Sequence, residues 1–290
     1  LMSGANNFML GAADQGFTFS GGNSPRLIQF NNAPSGVEIS YNIINTNDFA
    51  STGINIGAAG AVDLTVSNNI FIADEDDTYQ DWPLTASAGS GNIMDITITD
   101  NEFTGSGTPN KYGAAISLSD VQGAKGSVIT NNTISAFDRG IIIATDSTFV
   151  TSNLNINQNT ITACAIGIRF KGDPSLIDLT TVIVKNNNIS GNSQYGLKNE
   201  FATGNVNAAY NYWGHTSGPY HLITNPNGLG DNVSDNVEFV PWIGYYSWSV
   251  LLNIEEQYGV VGDTVIFGEK PDAFDGQDTY DAVKQPIPPP

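Results

Sequence analysis

The sequence predicts an all-β solenoid of parallel strands, on three observations. An asparagine motif recurs with a period near 27 residues, β-branched runs alternate apolar and polar residues, and Gly or Asn interrupts the chain too often for helices. Each copy of the motif is an apolar residue, two spacers, Asn, one spacer and a bulky apolar residue. It reads ISYNII ending at Ile44, VSNNIF at Phe71, ITDNEF at Phe103, ITNNTI at Ile134, INQNTI at Ile161, VKNNNI at Ile189 and a degenerate AAYNYW at Trp213. The key residues are Asn42, Asn69, Asn101, Asn132, Asn159, Asn187 and Asn211, spaced 27, 32, 31, 27, 28 and 24 apart, which defines seven coils.

A second element follows in several coils, opening with Gly and running into apolar residues: GINI from Gly53, GAAISL from Gly113, GIIIA from Gly140, GIRF from Gly167 and GLKN from Gly196. Each coil therefore holds at least two short strands, each pairing with the coil above at about 4.8 Å. An Asn in register at one turn per coil can bond its own backbone, accept a left-handed conformation and stack amide on amide.

This pattern, over Val37 to Ile243, resembles the right-handed parallel β-helix repeat proteins of the pectate lyase-like superfamily, of the secreted or cell-surface type. The resemblance implies a right-handed parallel β-helix solenoid. The stretch NYWGHTSGPYH, with Asn211, Tyr212, Trp213, Gly214, Gly218 and Pro219, then Val233, Ser234, Val237, Phe239, Pro241 and Trp242, looks like the segment that ends such helices in bacterial and archaeal surface proteins. An open solenoid end exposes apolar side chains and strand edges, and Trp213, Phe239 and Trp242 are suited to cover it. Residues 1–243 are thus read as β-helix with a terminal cap. Residues 244–290 read as a strand-like linker with one short strand at Thr264 to Phe267, then an acidic and proline-rich tail resembling a junction to a following module.

Composition narrows the function. The 290 residues carry 10 Lys or Arg against 29 Asp or Glu, a formal charge of −19, so nucleic acid is a poor partner. Charged residues are only 13%, against roughly 25% in average proteins, and 33 Asn help to carry the polarity instead. One cysteine, Cys164, excludes an internal disulfide framework, and its setting TACAIGI marks it as a buried small hydrophobe. Few Lys and Arg with abundant Asn, Thr, Ser and Gly suit an extracellular or cell-surface location. No stretch approaches the roughly 18 apolar residues of a membrane span, and LMSGANNFML lacks the regions of a signal peptide. Leu1 and the closing PIPPP suggest a processed chain or a piece of a longer one.

The β-helix enzymes that the chain resembles act on acidic polysaccharides in a groove along the strands, chemistry that needs a base with cations or calcium. Aligning coils on Gly140, Gly167 and Gly196 sets Arg169 opposite Lys198 and Lys171 opposite Glu200, with Arg139 one coil earlier. Lys171 and Glu200 are expected to pair, while Arg169 above Lys198 repels unless an anion lies between them. Arg169, Lys171, Lys198 and Glu200 are therefore the candidate substrate-binding group, either a polyanion site or a solvated face with one ion pair. Asp138, Asp146, Asp173, Asp178 and Glu200 offer carboxylates for glycoside hydrolysis, mostly in turn-like contexts that select no pair. His215 and His221 lie in the capping segment without a third zinc ligand.

Two acidic clusters invite calcium: Asp74, Glu75, Asp76, Asp77 and Asp81 in one long loop, and Asp272, Asp275, Asp278 and Asp281 in the tail. Neither has EF-hand spacing, and each also reads as a solvated loop. Glycosylation sequons occur at Asn131, Asn188 and Asn232.

Three functions fit. The first is a structural or adhesive surface module that assembles with itself or with neighbouring β-modules into a layer or filament. The others are a polysaccharide-active lyase, epimerase or hydrolase, and a carbohydrate-binding module using Tyr79, Trp82, Tyr112 or Tyr195. The balance leans against an enzyme.

Overall fold

In a computed structural model, residues 7–20, 26–30, 35–46, 52–57, 62–73, 81–87, 94–107, 113–119, 121, 126–145 and 150–244 are described. They form a parallel solenoid of three sheets, each sheet receiving one strand per coil. The first sheet stacks Met9–Leu10, Ser35–Ser40, Val62–Ser67, Met94–Thr99, Ser127–Thr130, Leu154–Asn157, Val182–Lys185, Val206–Asn207 and Val237–Glu238. The second stacks Thr18–Ser20, Ile43–Thr46, Ile70–Ala73, Glu102–Thr104, Thr133–Ser135, Thr160–Thr162 and Asn188–Ser190. The third stacks Arg26–Phe30, Thr52–Ile56, Trp82–Ser87, Ala114–Ser119, Arg139–Thr145, Ile166–Gly172 and Tyr195–Asn199. Seven coils are complete in all three sheets, so a coil has three strands. The strand expected at Thr264 to Phe267 and the proline-rich tail lie outside the described residues.

The asparagine column is the spine of this stack. Asn42, Asn69, Asn101, Asn132, Asn159, Asn187 and Asn211 are each at most 2% exposed. From Asn42 to Asn187, each donates its backbone N–H and its Nδ2 to the Oδ1 of the next, at 2.9–3.0 Å and 2.9–3.1 Å. The same Nδ2 also reaches the carbonyl two residues back and a carbonyl of the preceding coil, as Asn132 does with Thr130 and Ile98 at 2.9 Å. A buried amide is tolerable only when its donors and acceptor are met, and the repeat meets them with copies of itself.

The left-handed conformation, expected at the ladder Asn, belongs instead to the residue before it. Tyr41, Asn68, Asp100, Asn131, Gln158, Asn186 and Tyr210 have φ between 54° and 60°. That turn rotates the chain from the first sheet into the second and leaves the ladder amide pointing inward. One residue beyond the ladder amide's neighbour, the inner column Phe19, Ile44, Phe71, Phe103, Ile134, Ile161 and Ile189 runs in register through the core. Phe71 and Phe103 stack in it with centroids 4.4 Å apart. Close packing also explains the glycine alignment of the third sheet: a Cβ on Gly140 would lie 2.5 Å from the Gly167 carbonyl and 2.8 Å from Ile161 Cγ2.

Candidate functional site

The third sheet carries the charged group picked out by the glycine alignment. Its register sets Ile142 opposite Arg169 and Arg169 opposite Lys198, in a column that projects away from the core. Stacked cations at one strand spacing repel, and Glu200 supplies the anion between them. Its Oε2 lies 2.8 Å from Arg169 Nη2 and its Oε1 lies 2.8 Å from Lys198 Nζ. Burial alone would push the Glu200 carboxyl up, but the hydrogen bonds and charges of Arg169 and Lys198 outweigh it and hold it below its ordinary value. Lys198 also sits 5.5 Å from the centre of the Tyr195 ring.

The expected partnership of Lys171 with Glu200 is thereby corrected. The strand ends at Asn199, so Glu200 is free of the alternation that would carry its side chain out beside Lys171. Its carboxylate turns back instead to the two stacked cations, where one anion answers two like charges.

One coil earlier, Asp138 Oδ2 pairs with Arg139 Nη1 at 2.9 Å, both side chains being mostly buried. Desolvation raises the Asp138 carboxyl against the lowering effect of Arg139 and Arg169. Beside these charges Ala114, Ile142 and Ala144 are buried in a small apolar cluster separate from the main core, with Trp82 packed on it. The face thus combines a buried apolar strip with paired charges, of which Arg169 and Glu200 join adjacent coils.

The other candidates are distributed. Asp173 and Asp178 cap short 3-10 turns, each accepting from the backbone and hydroxyl two residues on, Ser175 and Thr180. The Ser175 hydroxyl and N–H hold the Asp173 carboxyl below its ordinary value. Cys164 is buried. His221 Nδ1 accepts from the Thr224 N–H at 3.1 Å, which leaves Nε2 to face Asp235 Oδ1 at 3.2 Å. His215 Nδ1 accepts from the Ser217 N–H at 3.1 Å.

Of the calcium candidates, Asp81 is buried, while Asp74, Asp76, Asp77, Asp272, Asp275 and Asp278 lie outside the described residues, as do Glu75, Asp281 and Asp146. Among the described residues no group of three or more His, Cys, Asp or Glu is placed to hold a metal ion. Asn131 is exposed and Asn188 half-buried, and Asn232 donates its amide to the Gln194 carbonyl at 2.9 Å. Of the aromatic residues, Trp82 and Tyr195 lie half-buried on the third sheet, and Tyr79 and Tyr112 are outside the described residues.

Sequence reasoning missed two features. Asp231 joins the cap to the last full coil: its carboxylate accepts from the Gly191 and Asn192 N–H groups at 2.8 Å and from Asn192 Nδ2 at 2.7 Å. Burial raises its carboxyl despite those bonds. The second is a cleft of about 350 Å³ in the first coils, lined by Phe17, Tyr41, Ile43 and Ile70 among others. Extending the asparagine period one coil upstream would have drawn attention to it, because that step lands on Phe17.

Among the described residues no helix is long and apolar enough to cross a membrane. A family model described as a right handed beta helix region matches residues 83–212. No curated protein and no solved structure matches the chain. The match contains the ladder from Asn101 to Asn211, and the coils of Asn42 and Asn69 continue the same three sheets in register. From the ladder, the parallel coils and the family match together, the chain is a right-handed parallel β-helix repeat protein, consistent with the pectate lyase-like superfamily.

Proposed function

We propose that this chain is an extracellular or cell-surface module with a structural or adhesive role, assembling with itself or with neighbouring β-modules into a layer or filament. The observation that carries this reading is the engagement of the charged groups on the third sheet. Glu200 answers both Arg169 and Lys198, and Asp138 answers Arg139. A groove that processes a polyanion keeps its cations turned toward substrate; here Glu200 draws Arg169 of the preceding coil and Lys198 of its own onto one carboxylate, and Asp138 holds its neighbour Arg139, which is the work of a scaffold. Low Lys and Arg content and a single buried cysteine accord with life outside the cell. Within the same reading, the loop of Asp74, Asp76, Asp77 and Asp81 takes calcium. A chelator then lowers the melting temperature by mass action, and an unchanged melt removes calcium from the reading.

The test uses native cells and the isolated protein. Protease applied to intact cells should release peptides of this chain, and light scattering with electron microscopy should show concentration-dependent sheets or filaments. Peptides released only after lysis overturn the surface location. A strictly monomeric particle at all concentrations overturns the assembly.

A further inference from the structure

In a solenoid each column states which residue the next coil should carry, so departures are judged against an internal standard. Two departures meet near the N-terminal end. The ladder position of the first coil is held by Phe17. Its N–H donates to Asn42 Oδ1 at 3.1 Å and its carbonyl accepts from the Ile43 N–H at 2.9 Å, the two backbone bonds that Asn42 itself makes to the following coil. The residue nevertheless stands 54% exposed. The left-handed position of the second coil is held by Tyr41, 43% exposed, where the next five coils carry Asn68, Asp100, Asn131, Gln158 and Asn186. A tyrosine there bears the strain of positive φ without the short polar side chain that makes Asn or Asp at ease in it.

A third departure lies between them. The outward column of the second sheet that follows the ladder reads Thr18, Ile43, Ile70, Glu102, Thr133, Thr160 and Asn188, so it is aliphatic only at the two coils beside the aromatic rings. Phe17, Thr18, Tyr41, Ile43 and Ile70, with Asp14 and Asn68, line the cleft of about 350 Å³, within the range of roughly 300–1,000 Å³ common for small-molecule sites.

We propose that this cleft binds a neutral saccharide, which would give the adhesive reading above its ligand and rests on that reading for its purpose. A pyranose presents a C–H face that packs on Phe17, Tyr41, Ile43 and Ile70, and a hydroxyl rim that finds an acceptor in Asp14 and both donor and acceptor in Asn68. Charge selects against acidic sugars: Asp14 is in the cleft, the lining residues include no Lys or Arg, and the whole chain carries −19. The ligand class is therefore opposite in charge preference to the acidic polysaccharides of the lyase-type β-helices.

Calorimetry and saturation-transfer NMR of the full chain decide it, with cellohexaose, chitohexaose and mannohexaose as probes and hexagalacturonate as the anionic comparison. At least one neutral oligomer should bind, and at least tenfold more tightly than the anion. Phe17→Asn and Tyr41→Asn should each weaken binding at least tenfold. Both restore the residue type of their column, and circular dichroism of each variant should match the parent. Tyr210→Asn, at the same column position far along the stack, should leave binding unchanged. Absence of binding by every neutral oligomer, equal binding of the anion, or binding that survives Phe17→Asn and Tyr41→Asn overturns the inference. Should those two substitutions abolish self-association without any saccharide binding, the cleft belongs to a second copy and the inference fails while surface assembly stands. Loss of the surface location on cells would leave the binding result untouched.

Discussion

At the C-terminal end Trp213 is fully buried where the inner column from Phe19 to Ile189 would carry its next member, and Phe239 and Trp242 pack beside it in the core. At the N-terminal end Phe8, Leu10, Phe19 and Leu27 face the same core from positions only partly buried, and Met9 and Phe17 stand exposed. The ladder shows the same contrast. Beyond Asn211 the next ladder position falls on Trp242, whose Nε1 donates to the Thr216 carbonyl at 2.9 Å; before Asn42 it falls on the exposed Phe17. Both ends replace Asn with an aromatic residue, one turned in as a cover and the other turned out. Among the described residues the ladder thus passes to a buried aromatic at one limit, the sealed end, and to an exposed aromatic at the other, the presented end.

The largest test of this contrast is Trp213→Ala. Removing a fully buried indole leaves a cavity at the sealed end and should cost about 3–5 kcal/mol in urea unfolding. Phe19→Ala, in the same column at the presented end, should cost clearly less because Phe19 is only partly buried. Equal losses would show that the two ends are sealed alike.

Next in size is Asp231→Ala. The Gly191 and Asn192 N–H groups and the Asn192 amide lose their shared acceptor, at about 1–3 kcal/mol for a buried group left unpaired. Hydrogen exchange should accelerate at Gly191 and Asn192 and leave the Asn69 and Asn101 amides protected. Acceleration along the whole ladder would mean that the cap and the coils open as one unit.

Much of this was legible from residue types. A polar Asn recurring inside apolar runs must be paired, and the only partner available at that spacing is its own copy, so the ladder followed from the period. The glycines of the third sheet likewise set Arg169 opposite Lys198 correctly. Other features were hidden for physical reasons. Ser35–Ser40 and Ile43–Thr46 are parted by two residues only, so two strands read as one run and the third strand of the coil was not distinguished. The left-handed column mixes Tyr, Asn, Asp and Gln, because the backbone fixes its conformation while the side chain faces outward; the neighbouring invariant Asn drew the expectation to itself. Glu200 lies just past the end of its strand, where alternation no longer dictates which neighbour a long side chain meets. Phe17 carries no Asn signature at all, although its backbone bonds are those of the ladder.

Tyr41→Asn sharpens the comparison at the presented end, with an effect of opposite sign. Asn visits the left-handed region readily, whereas other L-residues pay about 1–2 kcal/mol there, so the variant should gain up to about 1 kcal/mol after loss of the partly buried ring. Tyr210→Asn, near the sealed end at φ 59°, should gain similarly. A loss of stability for Tyr41→Asn alone would mean that the Tyr41 ring covers the first coils.

The smallest effect is in the pH dependence, where carboxylates near the sealed end act with opposite signs. The folded Glu200 carboxyl lies below its ordinary value of 4.5, so its contribution is complete above that value and is lost as pH falls through the lower folded value. Asp138 and Asp231 are raised above 3.8 in the fold; their contribution is present below 3.8 and is lost as pH rises through the folded values. Arg169, Lys198 and Glu200 side chains remain 21%, 33% and 26% exposed, so solvent screens the pair and its worth is about 0.2–1 kcal/mol. Glu200→Gln should therefore lower the melting temperature slightly at pH 7, and the difference from the parent should close as pH falls below 4.5. Asp231→Ala should behave in the opposite way, its deficit narrowing as pH rises from 3.8, where burial opposes the ionised parent. Parallel pH curves for the parent and both variants would show that neither carboxylate changes its protonation on folding.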